Sequence, residues 1–325
     1  MAEHSISEWW PRLRQSLRAL GTARAAVSSV PLLWLVLFFL VPFLIVLKIS
    51  FSEAVLAQPP YAPLTAWLQG PNGPEDWRLQ ITVNFASFLR LVEDNLYWLA
   101  YLSSLKIAAM ATVLCLLIGY PMAYGMARAP DSWRTPLVML VILPFWTSFL
   151  IRVYAWMGIL KTNGLLNNFL LSLGLIHEPI PLLYTPLAVQ IGIAYSYLPF
   201  MVLPLYATLV KLDWTLLDAA ADLGCRPFRA FLSVTLLLSL PGMIAGALLV
   251  FIPAVGEFVI PELLGGPNTL MIGKVLWNEF FTNHDWPAAA AVTIVLLILL
   301  VGPMVTLQAM QMRRAEGGGR AEVRR

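Results

Sequence analysis

The sequence predicts an all-α polytopic membrane protein with six transmembrane helices, and three observations carry that prediction. Mean hydropathy is +0.75. Hydrophobic residues make up 59% of the chain and charged ones only 12%, a balance no soluble domain of this size shows. The apolar residues also come in blocks rather than amphipathic stripes. Each block reaches about 20 residues, the length at which a helix crosses the hydrocarbon core with every backbone group satisfied internally.

In order, the blocks run roughly Val30–Ser50, Tyr97–Ala127, Leu137–Leu160, Leu182–Leu209, Leu236–Val255 and Ala288–Met310. The first follows Arg12, Arg14, Arg18 and Arg24, and no small-residue cleavage site comes after it. It therefore reads as a retained helix rather than a signal peptide. Pro121, Pro144, Pro186, Pro199, Pro204, Pro241, Pro253 and Pro303 fall in or at the ends of the blocks, where kinks in a packed bundle are expected.

Charge sets the orientation. Arginines 12, 14, 18 and 24 precede the first block, and Arg128 and Arg134 follow the second. Lys211, Arg226 and Arg229 lie between the fourth and fifth, and Arg313, Arg314, Arg320, Arg324 and Arg325 form the tail. These alternate segments hold most of the 21 basic residues, which places them and both termini in the cytoplasm. The opposite face is acidic. It carries Glu53, Glu75, Asp76, Glu93, Asp94, Glu178, Glu257, Glu262, Glu279 and Asp285 against Arg78, Arg90, Lys161 and Lys274. Such a mouth attracts cations, although acidic residues also simply fill the side that the positive-inside rule leaves free.

Outside the spans, residues 1–27 place Trp9, Trp10 and Leu17 among arginines, as in an amphipathic helix lying on the inner surface. Residues 51–96 form the longest outer loop, and the basic tail 313–325 is low in complexity. Cys115, inside a span, and Cys225, in an inner loop, make neither a disulfide nor a metal site.

One inner loop, residues 211–235, is too well formed for a bare connection. LDAAADLGCRPFRAF sets helix-forming residues from Asp218 to Asp222, with alanine on the inner side. Gly224 then permits a positive φ, and Pro227 suits the first turn of a second helix running to about Leu232. Two short helices at an angle, with small alanines and a ring of charge, suit docking to another protein.

This loop resembles the EAA loop of ABC importer permeases, in which Glu-Ala-Ala is followed by three residues, Gly, nine residues and Ile-x-Leu-Pro. Asp218 stands for the Glu, Ala219 and Ala220 match, Gly224 keeps the spacing, and Val234 and Leu236 take the Ile and Leu positions. Leu237 replaces the usual proline, which appears four residues later at 241. The runs LPFWTSFLIRVYAWMGILKTNGLLNNFL, PFMVLPLYATL and FIPAVGEFVIPELLGGPNTLMIGKVLWNEF further resemble polyamine importer permeases of the putrescine type across most of residues 28–312.

The resemblance implies a type I ABC importer permease fold in the cell inner membrane. It also implies a second homologous permease, two ATP-binding cassette subunits holding ATP and Mg, and a periplasmic polyamine-binding protein. Asp218, Ala219, Ala220, Gly224, Arg226 and Phe228 would then meet the ATPase. No cofactor in this chain and no nucleic-acid partner are expected.

Glu257 and Glu262 lie in IPAVGEFVIPELLGG, which Pro253, Gly256, Pro261, Gly265 and Gly266 interrupt. Broken backbone and ionisable groups at membrane depth mark a functional region. A polyamine, apolar between ammonium ends, wants carboxylates near aromatic faces, and Phe258, Trp277 and Trp146 are candidates for those faces. Alternatively, Glu257 or Glu262 pairs with Lys274 or Arg152 inside the complex, or sits in water at the outer surface. Arg152 itself would repel a polyamine, so it is expected to meet a carboxylate or reach outward.

Two other classes fit less well. A secondary transporter would have no use for the docking loop. A membrane enzyme would show a motif such as His-Glu-x-x-His or Gly-x-Ser-x-Gly, and neither occurs.

Overall fold

The computed structural model describes residues 28–69, 77–267, 269–302 and 305, with backbone alone for 66–69 and 77–81. The amphipathic segment 1–27 and the tail 313–325 lie outside the described residues. The contacts divide the chain into two units, one of Arg90–His284 and one of the residues before and after it.

The Arg90–His284 unit is a helical bundle. Its longest helix, α3 (Asn95–Arg128), starts where Asp94 Oδ1 accepts the Leu96 N–H at 2.8 Å. It stops at Ala129, whose extended backbone precedes Pro130 as the proline ring requires. Ala100, Ser104, Ala108, Ala111, Cys115, Gly119, Ala123 and Ala127 form a buried stripe three and four residues apart along it. Such small residues let helices approach closely where lipid offers no hydrophobic drive. Against this stripe pack Ala194, Met201, Val202, Leu205 and Leu209 of α7 (Pro186–Leu209) and Val250 of α10 (Leu240–Val255). The start of α7 is defined by Pro186 in the first turn and by Thr185 Oγ1, which accepts the Ala188 N–H at 3.2 Å.

Two expected spans are bent rather than straight. The third block becomes α4 (Asp131–Ile142) with a 3-10 turn over Leu143–Trp146, then α5 (Phe149–Leu160) and α6 (Leu165–Ser172) after an 88° bend. Pro144 has no N–H to continue the ladder. Thr147 turns extended, and both its N–H and its hydroxyl donate to the Pro144 carbonyl.

The fifth block starts later than expected, at Leu240. The second loop helix, α9 (Pro227–Leu238), does not stop near Leu232 but runs on through a π turn to a 63° bend at Ser239. Pro241, in the first turn of α10, is the proline that the loop pattern displaces from position 237.

In the other unit, α1 (Ser28–Ser50) has mean hydropathy 2.9 over its most apolar stretch, no residue of which is buried among the described residues. Strands β1 (Thr65–Gln69) and β2 (Trp77–Ile81) form an antiparallel pair within residues 51–96, an addition to the all-α reading. Helix α2 (Ala86–Glu93) begins in this unit after the strands, and its Phe88, with Phe85 just before it, packs on Phe51. The sixth block appears as α13 (Trp286–Gly302), capped by Asp285 Oδ1 on the Ala288 N–H.

Candidate functional site

Two regions of the Arg90–His284 unit gather the residues singled out in the sequence. The first is the loop 211–235. Asp213 Oδ1 accepts the Thr215 hydroxyl at 2.8 Å and the Thr215 N–H at 3.0 Å, holding the first turn of α8 (Thr215–Asp222). These bonds keep the Asp213 carboxyl below the usual carboxylate range, the hydroxyl contributing most.

At the other end of α8, Gly224 adopts φ +77°. Its N–H reaches the Ala221 carbonyl and the Cys225 N–H reaches Ala220, a Schellman closure that needs a left-handed residue. The loop thus turns where glycine and proline were expected to turn it. One expectation is corrected: the alanines do not face inward, since Ala219 is exposed and Ala220 half-buried. Asp218, Gly224, Arg226 and Phe228 are also exposed.

The base of the loop is anchored by residues that the motif does not contain. The Trp214 and Phe231 rings meet Tyr124 of α3 edge-on at 5.8 and 5.7 Å, and Phe231 meets Tyr120 likewise at 5.7 Å. The Arg128 guanidinium lies 4.6 Å over the Trp214 ring. At the bend, Tyr120 Oη and Ser239 Oγ share a hydrogen bond at 2.9 Å. Tyr120, Tyr124 and Arg128 are four apart, hence on one helix face, and that spacing was the available signal.

The second region is the broken stretch after α10. Gly256 ends the helix, and α11 (Val259–Leu264) and α12 (Ile272–Trp277, continuing as a π turn over Asn278–Thr282) follow. A Cβ at Gly273 would strike the carbonyls of Gly256 and Glu257, so only glycine lets α12 lie directly on the break. The Ile272 N–H donates to Ser104 Oγ at 2.7 Å, tying α12 to α3.

The two glutamates have separate fates. Glu257 is buried, accepting the Tyr197 hydroxyl and the N–H groups of Val259 (3.0 Å) and Ile260 (3.4 Å). Glu262 is half exposed, and its Oε2 lies 2.9 Å from Lys274 Nζ. Phe258 and Trp277 stack face to face at 4.2 Å, and Trp277 continues onto Phe281 at 4.1 Å. Trp146 is not brought onto this stack. It stands 76% exposed and joins no ring contact among the described residues.

Arg152 neither meets a carboxylate nor reaches outward. Its guanidinium lies over Phe145 (5.4 Å) and Phe149 (5.8 Å), and its buried Nε and Nη1 have no hydrogen-bond partner among the described residues. A third carboxylate, overlooked as a site, is Glu279. It is buried, accepts from Tyr97 Oη at 2.8 Å and Asn283 Nδ2 at 3.0 Å, and lies 4.0 Å from Arg90.

A family model described as the binding-protein-dependent transport system inner membrane component matches residues 116–313. The chain belongs to this family. The permease is 41% identical over 268 residues to the spermidine/putrescine transport system permease protein PotB of Haemophilus influenzae, covering 82% of this chain and 86% of that one. It is 32% identical over 252 residues to the inner membrane ABC transporter permease protein YdcU of Escherichia coli, covering 73% and 80%.

Among solved structures, it is similar to a chain of a bacterial ABC transporter that imports alginate. The TM-score is 0.60 at 16% identity, covering 93% of the permease and 99% of that chain, a likeness of fold alone. The permease therefore has the type I importer fold and is a membrane-embedded transport subunit rather than an enzyme.

Proposed function

We propose that this permease moves polyamines, putrescine foremost, from a periplasmic polyamine-binding protein into the cytoplasm. It works beside a second, homologous permease and two ATP-binding cassette subunits. Those subunits hold the ATP and Mg, and this chain binds no cofactor of its own. Residues 28–312 form the permease domain, flanked by the inner-surface segment 1–27 and the basic tail 313–325, with both termini cytoplasmic. Loop 211–235 docks on the ATPase through Asp218, Ala219, Ala220, Gly224, Arg226 and Phe228.

The observation that carries this reading is Glu262, an accessible carboxylate one turn from the Phe258–Trp277 stack. The pair matches both parts of a polyamine, ammonium to carboxylate and alkyl chain to aromatic face. Identity to proteins named for spermidine and putrescine transport supports the same class.

The test is ATP-driven uptake in vesicles holding the reconstituted four-subunit complex and its binding protein. Labelled putrescine and spermidine should accumulate, and an uncharged diol of equal length should not. Accumulation of neither amine would overturn the reading.

A further inference from the structure

Helices α11 and α12 meet through two rungs. The Glu262 N–H donates to the Phe258 carbonyl at 2.9 Å, so these residues sit one turn apart on one face. Lys274 and Trp277, three apart on α12, also share a face. Phe258 and Trp277 make an aromatic rung, nearly parallel at 10°, and Glu262 and Lys274 make an ionic one. The ionic rung is open to exchange. The Glu262 side chain is 52% exposed and that of Lys274 26%, a pair that is weak and readily broken. The other carboxylate of the break, Glu257, is already committed to Tyr197 and two backbone amides. Glu262 is thus the carboxylate there that a solute can reach.

We propose that Lys274 is a tethered competitor: its ammonium holds the place on Glu262 that a primary ammonium of the transported amine must take, and the amine passes only by displacing it. The inference rests on the polyamine reading above. A lysine side chain is itself an alkyl chain ending in a primary ammonium, so the Lys274–Glu262 contact reproduces the bond that a diamine end would form. The incoming chain lies against the edge of the Phe258–Trp277 stack while its ammonium exchanges with Nζ. Solutes without a cationic end leave the rung closed.

A pair with a merely structural role would behave symmetrically, and a competitor does not. The experiment measures initial uptake of labelled putrescine, below saturation, by the full complex with its binding protein. Co-purification of the ATPase subunits checks assembly of each variant. Glu262→Gln should lower uptake about tenfold, as expected for loss of a charge-assisted hydrogen bond. Lys274→Gln should raise it two- to fivefold, on the order of one exposed ion pair. The exchange Glu262→Lys with Lys274→Glu restores a pair but moves the carboxylate to α12, and uptake should stay as low as in Glu262→Gln. Equal losses in the two single variants with rescue by the exchange would overturn the inference, as would uptake by Lys274→Gln at or below the wild-type rate. A wild-type complex that takes up no polyamine would instead overturn the polyamine reading, and this inference with it.

Discussion

Between Lys211 and Thr235 the chain holds large apolar side chains outward, whereas between Gly256 and Thr282 it engages its carboxylates with groups of its own. Leu223 is 89% and Phe228 73% exposed at the loop tip, while Trp214 and Phe231 tie the loop base to α3. In the other region Glu257, Glu262 and Glu279 each have partners within the chain. A rigid base with an uncovered apolar tip is a surface finished by another protein. A polar region satisfied internally, but in one place by an exchangeable ion pair, is a surface that a solute opens for a moment. On the proposed function, the first region makes a permanent contact and the second a transient one.

The largest expected effect separates the two glutamates. Glu257→Ala leaves the Tyr197 hydroxyl, the buried Ile260 N–H and the part-buried Val259 N–H without an acceptor, at up to about 1–3 kcal/mol for each orphaned group. The melting temperature of the purified complex should fall by several degrees. Glu262→Ala removes a half-exposed pair worth about 0.2–1 kcal/mol and should leave the melt nearly unchanged. Equal melts for the two variants would erase the distinction between a structural and an exchangeable carboxylate.

Next comes Gly224→Val. A β-branched residue in the left-handed region costs about 1–2 kcal/mol, so the Schellman closure should open. Hydrolysis of ATP stimulated by loaded binding protein should drop about tenfold while membrane insertion persists. Phe228→Ala should act in the same assay but less, about fivefold, as expected for one apolar anchor truncated at an interface.

The smallest effect is on pH. Thr215 depresses the Asp213 carboxyl, so its contribution is complete above the unfolded carboxylate value of about 4 and is lost only as pH falls through the lower folded value. The emission of an environment-sensitive dye on Cys225 should therefore be flat from pH 6 to 8 and change only below about pH 4.

Much of this was legible in the sequence. Hydropathy located the blocks that become the spans α1, α3 and α7, the two bent pairs and the shorter α13, because membrane burial acts on each segment separately. The turn at Gly224 was legible because one residue's backbone preference decides it. The bends at Thr147 and Ser239 were not, since many prolines in the chain sit within continuous helix, Pro199 and Pro204 among them. Nor did spacing distinguish Glu257 from Glu262. Their difference rests on Tyr197, 60 residues away in sequence, and on Lys274, which the fold brings within 2.9 Å.

The most direct test of the contrast is thiol accessibility at the loop tip. Leu223→Cys, in a background lacking Cys115 and Cys225, is treated with an impermeant maleimide in inside-out vesicles, with and without the ATPase subunits. Labelling should be rapid in the bare permease, suppressed at least tenfold in the full complex, and absent in right-side-out vesicles. Equal labelling with and without the ATPase subunits would contradict the account.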